Sequence, residues 1–576
     1  MNQIKRPINC SLKSSISLIL LGIFLSILPA FAQSTTLSLQ NPRAYHILDR
    51  LELQSGALLP SIHTSVKAYD ASMVAKVVDS LRNESFFYSS LDRKDHFYLL
   101  KDMWEWSPSS KIKSNKPFLK YFYKTKTDFF ALDTTDFMVR INPIIHFEVM
   151  SELDNERFLF QNTRGIEVKG RISEKVGFYS MLTENQGRFQ NDVSDYILTG
   201  EYPALPNGNR FKPFASGDDF GGIDWFLARG YISFSPVKNI DIYFGHDQHF
   251  IGNGRRSLLL SDFSGPVPFI KIKTNVWKLQ YTNLFAQLTN QFNNNDFFPG
   301  GFADGLRGKK FMALHHLSYN VNSKLNIGLF ESVIFGRSNS VELSYFNPVI
   351  FYRAVENDLG SPDNVNIGLD FKWLLAKNIS VYGQLLIDEW NFAALQAQEG
   401  DWKNKQAFQL GAKVINVAGI DHLDVQVEYN QVRPYTYTHY DTIANFTHFN
   451  NPLAHPLGAN FREFLGIIKY QTRKDLFFQL QAAYYQKGLD SEDTNWGGNI
   501  FLDYRTLEQE LNNSIGQGIQ NDVFVAQFLT SWQFHHHLFI DAFYRFRSSN
   551  NEVISNESHS MGLGFRMNIG RRELLF

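Results

Sequence analysis

The sequence has almost no cysteine and, beyond its first 32 residues, no long hydrophobic run. Its single cysteine is Cys10, so no intramolecular disulfide can stabilise the chain. No segment after residue 32 approaches the roughly 20 apolar residues that a membrane-spanning helix needs. Excess positive charge is missing too, since the formal net charge is −1. The absence of a basic field argues against nucleic acid as a partner.

The N-terminus predicts export. A basic region containing Lys5, Arg6 and Lys13 precedes the apolar stretch 16–28, and Ala30-Phe31-Ala32 has the small-x-small form of a cleavage site. We therefore expect a signal peptide at 1–32 and a mature chain that begins at Gln33. Cleavage would remove Cys10 and three basic residues, which takes the net charge from −1 to −4.

Aromatic residues and alternating patterns are abundant. Aromatics make up 15% of the chain, with 52 Phe and 25 Tyr, yet the mean hydropathy is only −0.25. From about residue 165 onward a unit recurs that consists of an alternating apolar segment, a short polar turn and a second alternating segment. It is found at 165–184, 231–245, 317–331, 367–388, 465–486 and 523–546. Each unit is typical of a β-hairpin.

These hairpins predict an all-β transmembrane barrel of about 18 antiparallel strands over residues 117–576. Short turns on one side and long polar loops on the other are the signature of an integral outer-membrane barrel. A secreted β-sandwich or β-propeller also alternates, but its connections rarely differ so regularly in length. We expect the short turns to be periplasmic. The polar connections at about 185–224, 288–310, 336–365, 388–406, 433–461 and 487–520 are expected to form extracellular loops or lumen plugs.

The region 33–116 has helical rather than strand periodicity, and we expect it to form a small periplasmic bundle. Ala44, Ile47, Leu48 and Leu51 have helical spacing. A second apolar stripe covers 73–81 after a possible Asp70 cap. A third candidate helix covers 91–103, with Phe97, Leu100 and Trp104 on one side. At the other end of the chain, 570–573 interrupts the alternation, so the last strand is bulged or further residues extend beyond it.

The segment 245–261 is more informative about function than the alternating pattern of the strands. It contains the turn Gly252-Asn253-Gly254, whose glycines are expected to permit positive φ, and then Arg255 and Arg256. These arginines are candidates to face the lumen and bind anionic sugar groups, with Asp247 and His249 as further candidates. Alternatively they form lumen-wall ion pairs with acids such as Asp247 and Asp262. A phosphate-binding loop is excluded because no Gly-Lys-Ser/Thr ending or helix follows.

This segment resembles the Wzi-type capsule assembly proteins, in which a Gly-x-Gly turn is followed by a Ser-Leu-x-Leu-Ser run and a proline-bearing strand start. The stretches 45–51 and 98–106 look like members from gliding bacteria, where a related protein is called RemB. The order of predicted elements resembles this family over most of the mature chain, but the residue-level similarity is confined to these stretches. It implies an outer-membrane barrel with a helical periplasmic bundle that holds surface polysaccharide.

Two loop clusters pair carboxylates with an indole, a composition suited to binding sugars. They are Asp218 and Asp219 with Trp225, and Asp388 and Glu389 with Trp390. Paired carboxylates also serve glycoside hydrolysis, but adjacent carboxylates on one backbone seldom converge on one bond.

No enzymatic constellation, cofactor or metal site is predicted. The run His535-His536-His537 is expected to be a polar turn whose side chains point in different directions. His315 and His316 alternate across a strand and cannot chelate one ion together.

The leading prediction is a non-enzymatic outer-membrane barrel that binds or organises capsule or exopolysaccharide, with a possible link to gliding motility. Its expected partners are outer-membrane lipid, surface polysaccharide, and motility or export machinery. The alternative is a porin or small-solute channel. An energy-coupled receptor is excluded because the residues before the barrel are too few and too helical to form its plug.

Overall fold

The alternating segments form strands whose two faces meet different surroundings. The computed structural model describes residues 35–81, 89–107, 113–114, 118–153, 155–198, 203–216, 219–290, 308–337, 342–349, 351–361, 363–389, 391–397, 399–572 and 574. Among these residues, 18 antiparallel strands close a barrel. The barrel strands are β1 Phe137–Glu152, β2 Asn155–Ile172, β3 Val176–Arg188, β4 Asp219–Val237, β5 Ile240–Asp247, β6 Val267–Val276, β7 Leu279–Thr289, β8 Lys309–Asn320, β9 Leu325–Phe335, β10 Asn364–Ala376, β11 Ile379–Glu389, β12 Lys405–Val414, β13 Leu423–Val432, β14 Phe461–Arg473, β15 Leu476–Leu489, β16 Ile519–His535, β17 Leu538–Asn551 and β18 Ser555–Met567.

Neighbouring strands pair in sequence order, and β18 closes the barrel by pairing with β1. Short connections such as 173–175 and 377–378 lie at one end, which we call the short-turn end. Long connections such as 433–460 lie at the other, which we call the loop end. The predicted strand number and hairpins are confirmed, with boundaries that move by a few residues.

The two strand faces differ as the alternation predicts. In β5, Tyr243 is 1% exposed and faces the lumen, whereas its neighbour Phe244 is 57% exposed on the outer wall. Polar side chains on the lumen face pair with each other, as His316 does with Asp370 at 2.6 Å. The outward apolar rings form the lipid-facing surface of the barrel.

In the described part of the chain, three helices precede the barrel: α1 Pro42–Ser55, α2 Ala71–Ser80 and α3 Ser90–Asp102. Each begins at a side-chain cap. Asn41 accepts the Ala44 N–H, Asp70 accepts the Met73 N–H as predicted, and Ser89 forms a capping box with Asp92. Further helices are α4 Asn191–Leu198, α5 Tyr352–Leu359 and α6 Phe392–Ala397, and 3₁₀ turns are found at Leu343–Phe346, Val417–Gly419, Thr442–Ala444 and Tyr504–Thr506. No helix in the described ranges is long and apolar enough to cross a membrane.

The apolar stripes of α1 and α2 are buried as predicted, whereas the predicted face of α3 is correct at Leu100, which is 2% exposed, and wrong at Phe97. Phe97 is 40% exposed, while Leu99 is fully buried. The buried side of α3 also carries the polar residues Asp92, Asp95 and His96. They face inward because α3 packs against α1 and α2, where Arg50 and Arg43 of α1 bind Asp92 and Asp95 and the Val78 carbonyl of α2 contacts His96.

The helices dock on the short-turn end of the barrel. The Leu58 N–H donates to the Ser323 carbonyl, and the Asn378 N–H donates to the Leu53 carbonyl. Ion pairs reinforce this contact, including the buried pair of Lys372 with Glu52 and the half-buried pair of Lys413 with Asp49. The bundle and the barrel are therefore one packed unit.

The lumen is filled from both ends. From the loop end, residues 248–266 fold inward, and we call this segment the plug. From the short-turn end, Val66–Lys67 pairs with Phe250–Ile251 of the plug. Leu258 and Leu259 are completely buried among lumen side chains. Gln384 of β11 accepts the Leu258 N–H at 2.7 Å and donates to the Ile251 carbonyl at 2.9 Å. The plug is thus bonded to the barrel wall.

One long connection departs from the prediction. Residues 342–360 were expected to be extracellular or inside the lumen, but their described part packs on the outer wall of the barrel. Phe346 stacks on Phe285 at 4.7 Å, on the same face as the exposed Ile270. The Pro348 carbonyl accepts a hydrogen bond from Asn283, and Glu331 accepts the Arg353 N–H. This segment covers polar outward side chains that would otherwise face lipid.

The chain ends beyond the last strand rather than in a bulge. β18 ends at Met567, and Arg571 then reaches back to Glu148 of β1 at 3.0 Å. Two further two-residue strands, Thr447–His448 and Asn451–Pro452, pair within a loop, and short strands at Phe130–Asp133 and Phe211–Ser216 add to the edges of β1 and β4.

Candidate functional site

Three long loops meet at the loop end of the barrel. The Trp402 N–H donates to the Glu510 carbonyl at 3.0 Å, and the Tyr435 N–H donates to the Gly497 carbonyl at 3.1 Å. These bonds join the connections 390–404, 433–460 and 490–518. Their meeting point carries a group of aromatic and charged side chains that we call the loop patch. It consists of Trp402, Tyr440 and Tyr504 with Glu389, Lys405 and Arg505.

The aromatic rings of the loop patch lie in contact and are partly exposed. The ring centroids of Trp402 and Tyr504 are 4.8 Å apart. Tyr440 approaches Tyr504 edge-on at 6.0 Å and lies 4.6 Å from His439. Partly exposed aromatic faces of this kind offer apolar surfaces with a hydroxyl or N–H at the rim.

Charged groups surround the rings. The Lys405 Nζ lies 3.9 Å from the Tyr504 ring centroid and 2.8 Å from a Glu389 carboxylate oxygen. The Arg505 guanidinium lies 5.0 Å from the Tyr440 ring and binds Asp503 at 2.7 Å. The patch therefore presents both a cation and a carboxylate next to exposed rings.

The surroundings shift several pKa values in the patch. Burial raises the pKa of Tyr504 far above its usual value, with a further contribution from the Glu389 charge. Burial lowers the pKa of His439, so this imidazole is neutral at pH 7. Burial pushes the pKa of Asp503 upward, but the hydrogen bonds and charge of Arg505 outweigh it and leave that pKa below its usual value. Tyr504 thus keeps its proton, and Asp503 is ionised.

The sequence-predicted cluster at 388–390 borders this patch. Glu389 is exposed and belongs to it, whereas the Asp388 carboxylate accepts the Tyr437 N–H at 2.8 Å and holds the 433–460 loop. Trp390 lies outside the described residues. Trp402, Tyr440, Tyr504 and Arg505 were not predicted from the sequence. The density of aromatics in Tyr435-Thr436-Tyr437-Thr438-His439-Tyr440 was the available signal, because a polar loop rarely needs so many rings.

The second predicted cluster does not assemble as a surface site in the described residues. Trp225 is 4% exposed and packs against Phe189 and Val193 in a hydrophobic cluster. Asp219 is the first residue of β4, and Asp218 lies outside the described residues. Trp225 is therefore a core residue near the loop end.

The four candidates near the plug have different surroundings. Arg256 is buried and donates to Glu463 of β14 at 3.1 Å. Asp247 is paired with Arg229 at 2.5 Å. His249 is buried against Phe269 at a ring distance of 4.5 Å, and Arg255 is exposed. The alternative of lumen ion pairs thus describes Arg256 and Asp247, although their partners are Glu463 and Arg229 rather than each other or Asp262.

The two glycines of the plug turn are required for different reasons. Gly252 has φ +137°, and a Cβ there would lie 2.4 Å from the Gln384 amide nitrogen. Gly254 does not have positive φ, contrary to the prediction. A Cβ at Gly254 would lie 2.7 Å from the Arg256 carbonyl and 2.9 Å from a Glu428 carboxylate oxygen. Gly254 therefore allows a close approach to the barrel wall.

A cavity of about 380 Å³ separates the plug from the helical bundle. Its charged lining includes Lys67, Lys169, Arg255, Lys413, Lys469, Asp49, Glu167, Asp262 and Asp424. Burial lowers the pKa of Lys67 to about 8. Arg255 contributes to this cavity, which lies on the bundle side of the plug and away from the loop patch.

Comparison with known proteins agrees with the fold. The family model of the capsule assembly protein Wzi matches residues 174–567. Among solved structures, the chain is similar to Wzi of Escherichia coli, with a TM-score of 0.56 and 13% identity over 94% of this chain and 100% of that chain. That protein is described as an outer-membrane protein involved in group 1 capsule assembly and as a carbohydrate-binding β-barrel. OprD of Pseudomonas aeruginosa has a TM-score of 0.41 and 9% identity, covering 74% of this chain and 94% of that chain. No curated protein matches the sequence.

The closed barrel and the family match together define an integral outer-membrane β-barrel protein. The chain belongs to the capsule assembly protein Wzi family.

Proposed function

We propose that this protein is a non-enzymatic barrel that binds surface polysaccharide at the loop patch and thereby takes part in capsule or exopolysaccharide assembly. The observation that carries the proposal is the set of partly exposed rings of Trp402, Tyr440 and Tyr504 next to Glu389 and Arg505. The loop end faces the cell exterior, and the short-turn end with its helices faces the periplasm. The E. coli protein with the same fold is described as carbohydrate-binding, which supports the proposal.

The patch suits sugars because a pyranose presents both apolar C–H groups and polar hydroxyl groups, and the patch has partners for both. Aromatic faces stack on the C–H surface of the ring, while a carboxylate such as that of Glu389 accepts hydrogen bonds from the hydroxyl groups. Arg505 donates to Asp503 through its Nε and Nη2, and its Nη1 adds donors for a carboxylated sugar. Each exposed contact is weak, so retention of a polymer depends on several contacts along one chain.

The carboxylates near the patch already have structural partners, which supports a binding role rather than hydrolysis. Glu389 binds Lys405, Asp503 binds Arg505, and Asp388 holds the Tyr437 backbone. A glycosidase needs one carboxylic acid that keeps its proton and a second carboxylate across the scissile bond.

The filled lumen argues against the porin alternative. The plug and the segment Val66–Lys67 pair inside the barrel, and Leu258, Leu259 and Leu260 are buried there. We expect the purified protein in planar bilayers to show little or no single-channel conductance. Large, stable channels in the wild-type protein would favour the porin.

The proposal is tested with the double variant Trp402→Ala, Tyr504→Ala. It should insert normally but bind purified capsular polysaccharide at least several-fold more weakly, and cells should shed polymer into the medium. Trp277→Ala is the matched control, because Trp277 is 78% exposed in a turn at the short-turn end. If both variants retain polymer equally, the loop patch is not the binding site.

A link to gliding motility rests only on the resemblance of 45–51 and 98–106 to proteins of gliding bacteria. Motility or export machinery would then be a partner at the bundle. Deletion of the gene should impair surface polysaccharide, and gliding where the cell glides. A deletion strain with normal polysaccharide and gliding but altered uptake of small solutes would favour the porin.

A further inference from the structure

Two histidines and one aspartate converge where the helical bundle meets the barrel. Asp102 ends α3, and its Oδ1 lies 2.5 Å from the His536 Nε2 and 2.8 Å from the His537 Nε2. The histidines form the turn between β16 and β17, where His537 has φ +58°. Side chains that were expected to point in different directions therefore meet at one oxygen atom.

The cluster is held by neighbours that orient its ligand atoms. The Tyr98 hydroxyl lies 3.0 Å from the His537 Nδ1, and the Tyr98 ring packs on His536 at 4.5 Å. Asn41 donates to the second oxygen of Asp102 at 3.2 Å. A hydrogen bond at Nδ1 fixes the imidazole so that Nε2 is directed at the cluster, which is the arrangement that supports metal-bound histidines.

A second cluster of similar composition shows why this one is different. Asp92, Asp421 and His422 also bring three potential ligands together. There the Arg50 guanidinium already lies 3.0 Å from Asp92 and 3.3 Å from the His422 Nδ1, so a cation occupies the centre. In the described part of the chain, no lysine or arginine forms an ion pair with the Asp102 carboxylate, whose ion-pair partners are the two imidazoles.

We propose that Asp102, His536 and His537 form a binding site for a divalent transition-metal ion of the Zn²⁺ class. Two imidazole nitrogens and one carboxylate oxygen are ligands that Zn²⁺ prefers. The three ligand atoms lie within 4.8 Å of one another. With metal–ligand bonds of about 2.0 to 2.2 Å, ligand atoms in a tetrahedral site are roughly 3.3 Å apart, so the ion would lengthen the 2.5 and 2.8 Å distances between Asp102 and the two imidazoles.

The ion would join the end of α3 to the barrel wall across 434 positions of sequence. Binding only to the folded, docked arrangement stabilises that arrangement. Three protein ligands leave a fourth position for water or an external group. The site is independent of the loop patch, because it lies at the opposite end of the barrel.

The test uses the full-length protein in detergent after treatment with a chelator. Titration with ZnCl₂ in a calorimeter should give one site per chain, and MgCl₂ should give none. The double variant His536→Ala, His537→Ala should lose at least tenfold in affinity. His535→Ala is the matched control, since His535 is exposed and outside the cluster, and it should bind Zn²⁺ as the wild type does.

A second measurement remains decisive if the double variant fails to fold. CoCl₂ added to the wild-type protein and to His535→Ala should give the visible absorption of Co²⁺ bound to nitrogen and oxygen ligands, and Zn²⁺ should displace it. Absence of this absorption, or equal Zn²⁺ affinity in a folded double variant, would overturn the proposal. Neither result bears on polysaccharide binding.

Discussion

Arg50 on α1 donates two hydrogen bonds to Asp424 at the beginning of β13, at 2.5 and 2.7 Å. Arg50 is 2% exposed and Asp424 is 5% exposed. The same guanidinium also binds Asp92 of α3 at 3.0 Å. One side chain therefore connects two helices of the bundle to the barrel and pairs with both aspartates.

Arg50→Ala should destabilise the folded protein by about 3 kcal/mol, near the lower end of the range for a broken buried pair, because the two buried carboxylates lose their guanidinium but keep the imidazoles of His46 and His422. Urea unfolding of the barrel in lipid vesicles measures this change. Arg93→Ala serves as the control, since Arg93 is exposed on α3 and its removal should change stability by less than about 0.5 kcal/mol. Equal effects of the two variants would show that the bundle does not depend on this contact.

The barrel could be predicted from the sequence because its signal is local. In β5, the alternation of Ile242 and Phe244 with Tyr243 is visible in consecutive letters, and each strand repeats it. The Asp70 cap was likewise readable, because its partner Met73 is three residues away. Local patterns of this kind fix strands, turns and helix starts.

The sites could not be predicted in the same way, because they join distant parts of the chain. Trp402 and Tyr504 meet only after two loops fold over the barrel end. The sequence of 257–261 is compatible with either a strand or a turn. In the folded protein this run lies inside the lumen, where Gln384 and Tyr437 form hydrogen bonds with the Leu258 backbone. The convergence of His536 and His537 on Asp102 has no local signal at all.

The plug turn should tolerate no side chain at position 252. In Gly252→Ala an alanine must adopt φ +137°, and its Cβ would lie 2.4 Å from the Gln384 amide nitrogen. The substitution should therefore lower the free energy of unfolding by about 1 to 3 kcal/mol. Gly466→Ala is the matched control, because nothing lies within 4 Å of a Cβ there. Urea titration of both variants compares them, and a Gly252→Ala protein as stable as Gly466→Ala would contradict the assigned backbone.

The two faces of β5 should differ in their tolerance of charge. Ile242→Arg puts a cation on the lipid-facing wall and should cost about 2 to 4 kcal/mol if Ile242 lies at the membrane midplane, and about 1 kcal/mol if it lies near the interface. Asp241→Asn should cost little, because Asp241 accepts a hydrogen bond from the Ser235 hydroxyl and an amide oxygen can also accept it. A folding assay that finds both changes equally tolerated would mean that the faces are reversed.

Removal of the plug should open the barrel. Asp247 and Val267 are register partners on β5 and β6, so a short Gly-Ser-Gly linker can replace residues 249–265 without moving either strand. An 18-stranded barrel is wide enough to hold water. Planar-bilayer recordings should show conductance for this variant and little for the wild type. A folded variant that stays closed would indicate that other inward segments, such as 58–68 and the buried part of the 433–460 loop, seal the lumen without the plug.

Arg255 and Arg256 are neighbours in sequence but should behave differently when changed. Arg256→Ala removes the partner of the buried Glu463 and should lower the free energy of unfolding. The loss should be near the lower end of the 3 to 5 kcal/mol typical of a broken buried pair, about 3 kcal/mol, because His455 still binds Glu463 at 2.8 Å. Arg255→Ala should change stability little, because its side chain is exposed.

Neither change should alter retention of polysaccharide by correctly folded protein, because Arg255 lines the cavity on the bundle side of the plug and Arg256 is buried. Urea unfolding and a polymer-binding assay on the same preparations separate the two effects. If Arg255→Ala sheds polymer while its stability is unchanged, the sugar chain reaches the interior cavity. The binding site would then extend from the loop patch past the plug into the barrel.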